Sequence, residues 1–269
     1  QSDIKVSDDK HLYEVFGPEN NENAHAGAIG FSDARLLFFP VKSMRGVFAW
    51  ITSPKVLKQF ERDMQLHDDK FQIENMPKNS QLTENKCLVF SNKITIDTAS
   101  QSRVVLEEYT FNAETIGSSK QPAPKIGNDN LTAGIINNYF YDLPDFWKEQ
   151  LQNNLIILHD DDFTDFVNLS TEVITRTKIA NDTGTVERGA LWTEEYLPAE
   201  TVLYSMVFAA DVFKNENEKK ESTFKQDGKG ESDLVLDFFS QGLQSVIQMG
   251  GNATIGKGIT RTFFANTKK

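Results

Sequence analysis

The chain has 269 residues, 39% of them hydrophobic, which is enough for one large domain or two small ones. A lone cysteine, Cys87, excludes an internal disulfide framework and favours a reducing cytoplasm, and no apolar run is long enough to span a membrane. The formal net charge of -11 argues against a uniformly basic protein, although a local groove lined with a few Lys and Arg side chains can still bind phosphates.

The first half of the chain alternates short helices and strands. The pattern predicts a helix over residues 10–16 and a strand over residues 28–39. Ser53-Pro54 predicts the start of a helix that reaches about residue 67, because proline suits the first helical position. Further elements follow in this order: short strands over 87–90, 93–96 and 103–111, a Gly-, Ser- and Pro-rich mobile loop over 113–135, a helix over 144–152 and a short strand over 155–158.

A long β-hairpin is predicted over residues 171–196. Residues 171–179 alternate between two faces, Asn181-Asp182-Thr183-Gly184 is a turn signal, and an extended run resumes at Thr185. The remaining predicted elements are a buried strand over 201–209, a charged disordered loop over 214–233, an amphipathic helix over 234–248 with Val246 and Ile247 on its core side, a Gly-rich turn over 250–258 and a strand over 259–264.

The Gly-rich turn is a candidate phosphate-binding loop. Its glycines permit unusual backbone dihedrals and leave N–H groups exposed beside a lysine. It is not a P-loop, because Gly-Lys is followed by glycine and then by a strand, which disfavours nucleotide hydrolysis. A tight helix-to-strand turn without a ligand explains the same residues equally well. The candidate contact residues are Gly250, Gly251, Gly256, Lys257 and Gly258.

Two other segments combine cations with turn or aromatic residues. Lys42, Ser43 and Arg45 precede a glycine and an apolar run, which suits either a phosphate contact or an ordinary link with solvated charges. The predicted hairpin carries basic and aromatic residues on a protruding ribbon, which suits single-stranded nucleic acid or a plain edge hairpin. Its candidate contact residues are Arg176, Lys178, Arg188 and Trp192.

An acidic cluster, His159-Asp160-Asp161-Asp162, allows a metal or acid–base interpretation or a capped helix start. No second histidine stands at ligand spacing, which argues against a zinc site. We favour the helix start and assign no catalytic residue and no metal ligand. Cys87 has no nucleophile signature and is expected to be a small core residue.

Four blocks of sequence resemble, in order, the RAMP superfamily subunit that forms the repeated backbone of Cmr (type III-B) CRISPR effector complexes. They are Phe16-Gly17-Pro18 followed by AGAIGFSDARLLFFPVKSMRGVFAW at 26–50, LHDDDF at 158–163, TGTVERGALWTEEYLP at 183–198 and QMGGNATIGKG at 248–258.

This resemblance implies an α+β fold, in which a modified ferredoxin-like (RRM-like) palm carries a protruding thumb hairpin within a single RAMP domain, residues 1–269. It implies a CRISPR antiviral ribonucleoprotein of the cytoplasm, with no membrane contact. Copies of the subunit stack in a filament along the guide RNA, beside other Cmr subunits, and each thumb presses between bases of the guide–target duplex. The family cuts single-stranded target RNA with Mg²⁺ or a similar divalent metal.

One departure concerns the start of the chain. In the family, the catalytic Asp and the first guide-gripping motif precede the Phe-Gly-Pro block. Here only fifteen residues stand there, and Asp3, Asp8 and Asp9 lie in no matching context. We therefore expect that segment to be missing. Two alternatives remain open, namely a non-catalytic assembly protein and a phosphate-handling enzyme that uses the Gly-rich loop.

Overall fold

The computed structural model describes residues 9–18, 25–83, 85–99, 101–117, 121–213, 224–225 and 228–265. The chain separates into two compact units. Arg35–Tyr204 forms the larger unit, and Gln1–Ala34 together with Ser205–Lys269 forms the smaller one. Each described helix is too short or too polar to cross a membrane.

The larger unit is a mixed α+β structure. Its helices are α2 (Pro54–Met64), α3 (Leu131–Tyr139), α4 (Asp145–Asn154) and α5 (Asp160–Leu169). Its strands are β2 (Arg35–Lys42), β3 (Phe48–Thr52), β4 (Ile73–Glu74), β5 (Lys86–Val89), β6 (Ile96–Asp97), β7 (Ser102–Leu106), β8 (Tyr109–Thr115), β9 (Lys125–Ile126), β10 (Asp129–Asn130), β11 (Leu155–Ile157), β12 (Glu172–Ile179), β13 (Val186–Tyr196) and β14 (Val202–Tyr204).

Eight of these strands form one mixed sheet in the order β14-β2-β3-β11-β5-β8-β7-β6. The pairs β3–β11 and β5–β8 are parallel, and the other neighbours are antiparallel. The short strands β10, β9 and β4 form a separate sheet, and β12 pairs only with β13. The predicted hairpin is therefore confirmed as a two-stranded ribbon outside the large sheet.

Helices cover both faces of the large sheet, which explains its continuous apolar strands. Leu57 and Phe60 of α2 pack in one core cluster with Trp50 of β3. Phe166 of α5 packs in a second cluster with Ile51, the next residue of β3. Because successive strand residues point to opposite faces, α2 and α5 lie on opposite sides of the sheet.

The start of α2 follows the predicted pattern. The Ser53 hydroxyl accepts a hydrogen bond from the Val56 N–H at 3.4 Å, and Pro54 occupies the first helical turn. The helix ends at Met64, a few residues before the predicted end. Cys87 is fully buried in the second cluster, as expected, and burial raises the pKa of its thiol.

The smaller unit contains helices α1 (Asp9–Phe16) and α6 (Glu231–Gly242). Its strands are β1 (Ile29–Phe31), β15 (Val207–Ala209), β16 (Val246–Gln248) and β17 (Ile259–Arg261). Strand β1 pairs with β15, and β16 pairs with β17, both antiparallel. Val15 of α1, Phe238 of α6 and Phe224 form the centre of its core.

Several predicted boundaries were wrong. The helix predicted over 234–248 ends at Gly242, and Val246 and Ile247 lie in β16 rather than on a helix face. Backbone pairing with β17 accounts for this difference, since a partner strand overrides a local helical period. The strand predicted over 201–209 is two short strands in different units, and neither is fully buried.

The Gly- and Pro-rich segment 113–135 is more regular than a loop. It contains the end of β8, strands β9 and β10, and the start of α3, which Asn130 caps through its side chain. The segment 103–111 is likewise two strands, β7 and β8, joined at Glu107-Glu108. Most of the predicted charged loop, namely residues 214–223 and 226–227, lies outside the described residues.

Candidate nucleic-acid interface

The turn between β2 and β3 presents the first candidate cations. The Ser43 N–H donates to the Val47 carbonyl at 3.0 Å, and the Phe48 N–H donates to the Gly46 carbonyl at 2.8 Å. Gly46 and Val47 both have positive φ, 77° and 70°, which is strained for a β-branched valine. A Cβ on Gly46 would lie 3.1 Å from the Asn154 amide nitrogen, so this tight turn is also closely packed.

The three polar side chains of this turn differ in how available they are. The Lys42 side chain is 84% exposed, and its ammonium lies 3.9 Å from the Glu107 carboxylate. The Arg45 guanidinium donates to the Thr95 carbonyl at 2.6 Å, and the Ser43 hydroxyl is buried without a hydrogen-bond partner among the described residues. Lys42 is therefore the group that can reach a phosphate, while Arg45 holds the turn against its neighbour.

The Glu194 carboxylate accepts the hydrogen bonds of three polar side chains on one face of the β12–β13 hairpin. The Tyr196 hydroxyl, the Trp192 indole N–H and the Arg176 guanidinium all donate to Glu194. These bonds lower the pKa of Glu194 to about 2. Arg176 and Trp192, both predicted contact residues, therefore use their polar groups within the hairpin.

The other hairpin cations are also unequal. The Lys178 ammonium pairs with the Glu187 carboxylate at 2.8 Å, whereas Arg188 is exposed and makes no ion pair with a described residue. Arg188 is thus the hairpin cation best placed to neutralise an external charge.

The opposite face of the hairpin was not singled out from the sequence. Cross-strand partners share a face, and the register pairs Thr175 with Thr193 and Thr177 with Leu191. Leu191 is 66% exposed and Val173 is exposed nearby, so most of this face is uncharged. The alternation of Val173, Thr175 and Thr177 along β12 is the sequence pattern that could have predicted this face. We call this surface, formed by Val173, Thr175, Thr177, Leu191 and Thr193, the Thr/aliphatic face.

The Gly-rich loop connects β16 to β17 in the smaller unit, so it is a strand-to-strand turn. The Met249 N–H donates to the Gly258 carbonyl at 2.8 Å, and the Gln248 amide lies within hydrogen-bond distance of the Gly250 carbonyl at 3.0 Å. The N–H groups of Gly250 and Gly251 donate to no acceptor among the described residues. The loop therefore turns carbonyls inward while two backbone donors stay available to an anion.

Three of the loop's glycines, Gly250 included at a φ of 80°, adopt a backbone conformation that favours glycine. Gly256 and Gly258 have positive φ, 74° and 71°, and a Cβ on Gly258 would lie 1.9 Å from the Met249 carbonyl oxygen. The intervening Lys257 is half-buried.

The acidic cluster starts α5, as expected, but its acids act differently. His159 is the N-cap and accepts a hydrogen bond from the Asp161 N–H at 3.2 Å. Asp160 instead accepts from the Asn79 amide at 2.5 Å and from the Lys55 N–H at 2.9 Å. Burial by itself raises the pKa of Asp160. The hydrogen bonds lower the pKa by more than burial raises it, so the net shift is downward. Asp160 therefore ties α5 to α2 as a structural residue.

Within the described ranges, His, Cys, Asp and Glu side chains form no group of three or more that could hold a metal ion. We therefore derive no chemical step through a metal, and no described residue is assigned a catalytic role.

The candidate residues fall into two sets. The larger unit holds Lys42, Ser43, Arg45, Arg176, Lys178, Arg188 and Trp192. The smaller unit holds Gly250, Gly251, Gly256, Lys257 and Gly258.

Comparison with known proteins identifies the family. Residues 2–261 match the RAMP superfamily. The CRISPR system Cmr endoribonuclease Cmr4 of Pyrococcus furiosus is 34% identical over 263 residues, which is 96% of this chain and 76% of that protein. The crystal structure of oligomeric Cmr4 from Pyrococcus furiosus superposes with a TM-score of 0.62 and 26% identity, covering 96% of this chain and 80% of that one.

A cryo-EM structure of the type III-B Cmr-beta complex bound to cognate target RNA contains a chain of the same fold. Its TM-score is 0.60 and its identity 21%, over 94% of this chain and 76% of that chain. The chain described here belongs to the RAMP superfamily and is similar in sequence and fold to its Cmr4 members.

Proposed function

We propose that the chain is an RNA-binding backbone subunit of an RNA-guided type III-B CRISPR complex. Membership of the RAMP superfamily and 34% identity to a Cmr endoribonuclease support this function. The ligands are a CRISPR guide RNA and a single-stranded target RNA, and the partners are further copies of the chain and other Cmr subunits. Target cleavage by the assembled complex, with a divalent metal, belongs to the same proposal.

The observation that carries this proposal is the hairpin, which serves as the thumb. It stands outside the large sheet and exposes an uncharged Thr/aliphatic face ending near the unpaired Arg188. An apolar face can press against the flat surface of a base, while ion pairs such as Lys178–Glu187 keep the ribbon rigid. The large sheet with its covering helices serves as the modified ferredoxin-like palm, and both units form one RAMP domain.

Phosphate contacts in this function come from few groups, as the acidic composition requires. Lys42 and Arg188 are exposed cations, and the N–H groups of Gly250 and Gly251 are backbone donors without described acceptors. The other candidates stabilise the conformation of the binding surface and do not contact phosphates directly. Arg45 holds the β2–β3 turn, and Arg176 and Trp192 hold the hairpin through Glu194.

The test measures RNA affinity by fluorescence anisotropy over a range of salt concentrations. Lys42→Ala and Arg188→Ala should each weaken binding of single-stranded guide RNA and flatten its salt dependence, by a slope of about 0.7 per lost phosphate contact. Lys93→Ala is the matched control, because Lys93 is an exposed lysine of the same unit that pairs with Glu149 at 2.9 Å. Equal slopes for all three variants and the parent would contradict the assignment of Lys42 and Arg188.

A second experiment tests the thumb. Leu191→Asp places a charge on the Thr/aliphatic face without touching the Glu194 network, so the fold should survive. We expect guide binding to persist and pairing with target RNA to change. Lys178→Ala, which alters the ribbon but not this face, is the control. Unchanged target pairing in the Leu191→Asp variant would refute the wedge role.

A further inference from the structure

A groove of about 470 Å³ lies in the larger unit between the β7–β8 turn, α5 and the start of the hairpin. Its apolar part is formed by Tyr109, Phe111, Phe166 and Leu169. Leu169 is 73% exposed at the end of α5, so this apolar surface is open to a partner. We call this cavity the acidic groove.

The charge of the acidic groove is strongly one-sided. Its described lining residues carry five carboxylates and one ammonium, that of Lys42, which faces Glu107 at 3.9 Å. The carboxylates are those of Glu107, Glu108, Asp162, Asp165 and Glu172. Burial is the main cause that raises the pKa of Asp162. The charge of His159 lowers this pKa, and the charges of Asp165 and Asp161 raise it, so the net shift is upward. The surplus of carboxylates over the single ammonium favours a cationic, partly apolar surface as the occupant of this groove.

The same unit carries the complementary surface on α2. Lys55, Lys58 and Arg62 stand at helical spacing i, i+3 and i+7, so they share one face of the helix. All three are exposed, and their side chains make no ion pair with a described residue. Three cations without carboxylate partners are unexpected in a chain of net charge -11. We call this surface the basic stripe; it is about 10 Å long from the helical rise.

The two surfaces belong to helices that cover opposite faces of the large sheet. Helix α2 packs on the sheet face that contains Trp50, and α5 packs on the face that contains Ile51. The basic stripe and the acidic groove therefore lie on opposite sides of one sheet, and neither can satisfy the other within one chain. Two complementary patches on opposite sides produce a head-to-tail contact that repeats from copy to copy.

We propose that the acidic groove binds the basic stripe of a second copy of this chain. Long Lys and Arg side chains suit the groove, because their methylene stems cover its apolar floor while their charged ends meet its carboxylates. The contact leaves Arg188 and the Thr/aliphatic face outside it. This inference deepens the proposed backbone function and rests on it, since it names the surfaces through which copies associate.

The test is sedimentation equilibrium of the purified chain without RNA, at low and at high salt. Lys58→Glu and Asp165→Lys should each weaken self-association by about tenfold or more, because charge reversal replaces attraction with repulsion across a desolvated contact. Lys125→Glu and Asp142→Lys are the matched controls, since they make the same charge changes at exposed positions outside both surfaces. The controls should associate as the parent does.

A mixing experiment keeps the test decisive if a variant is damaged. The Lys58→Glu chain retains its groove, and the Asp165→Lys chain retains its stripe. An equimolar mixture should therefore associate although each variant alone does not, which a misfolded partner could not achieve. No association in the mixture, or parental self-association in both variants, would overturn the proposal.

RNA affinity, measured on the same variants, separates this inference from the proposed function. A Lys58→Glu chain that binds RNA normally but no longer self-associates supports the groove–stripe contact. A Lys58→Glu chain that loses RNA affinity but still self-associates shows that the stripe contacts RNA instead, and refutes the contact. The Arg188→Ala variant, at a residue outside both surfaces, tests the proposed function whatever the outcome here.

Discussion

Gly258 offers the sharpest perturbation of the candidate RNA-binding loop. Replacement by alanine would put a Cβ 1.9 Å from the Met249 carbonyl oxygen, at a backbone φ of 71°. Since a Cβ contact below 3.0 Å is essentially never observed, the oxygen must retreat by about 1 Å. That movement pulls apart the turn that the Met249 N–H closes by donating to the Gly258 carbonyl at 2.8 Å.

The cost follows from two effects. A left-handed backbone costs alanine about 1–2 kcal/mol. A lost backbone hydrogen bond costs about another 1 kcal/mol. The sum, about 2–3 kcal/mol, falls on a short exposed hairpin, so we expect local opening of β16–β17 rather than global unfolding.

The assay compares Gly258→Ala with Gly251→Ala. Gly251 belongs to the same loop, has open space around its Cβ position and does not have a positive φ, so alanine should be tolerated there. We expect Gly258→Ala to accelerate amide exchange at Met249 and to weaken RNA binding about tenfold, which corresponds to about 1.4 kcal/mol. Parental exchange and parental RNA affinity in Gly258→Ala would refute the reasoning.

Three further predictions concern stability, followed by urea unfolding and tryptophan fluorescence; all three tryptophans lie in the larger unit. Asp63→Asn should cost about 2 kcal/mol at pH 7, because buried Asp63 accepts three hydrogen bonds, one from Arg35 at 2.5 Å. Burial raises the pKa of the Asp63 carboxyl, but the three hydrogen bonds that it accepts lower this pKa by more, so the net shift is downward. The stabilisation is therefore present above the unfolded pKa of about 3.9 and is lost as the pH falls below that value. An equal difference at pH 3 would contradict this. Asp160→Ala should lower the free energy of unfolding by about 2 kcal/mol, because it removes the hydrogen bonds to Asn79 and α2. Asp161→Ala should lower it by less than about 0.5 kcal/mol. Equal effects of the two variants would show that both acids act only as helix caps. Val47→Gly should raise the free energy of unfolding by about 0.5–1 kcal/mol, because glycine relieves a φ of 70° at an exposed position, and a destabilised variant would show that the turn is not strained.

Local pattern was sufficient for the long hairpin and for the start of α2, where the chain interacts mainly with itself over a short range. The alternation of residues 171–179 and the turn at Asn181–Gly184 predicted the hairpin, because cross-strand pairing there is between near neighbours in sequence. Pro54 predicted the start of α2 for the same reason. The four blocks of sequence that resemble the RAMP superfamily predicted the family without any assignment of helices and strands, because the blocks are long and follow the family's order.

Tertiary structure alone decided which charges are available and where they lie. Arg176 and Lys178 look like nucleic-acid contacts in the sequence, yet glutamates across the ribbon neutralise them, and only the strand register reveals those pairings. The ends of α6 and of the 201–209 segment depended on partner strands far away in sequence. The acidic groove joins residues from three segments, and its separation from the basic stripe depends on the pleat of one strand, β3. The sequence therefore predicted several elements through local pattern and the fold class through resemblance to a family. The three-dimensional arrangement decided which charges are available, because an ion pair depends on distance in space and not on spacing in sequence.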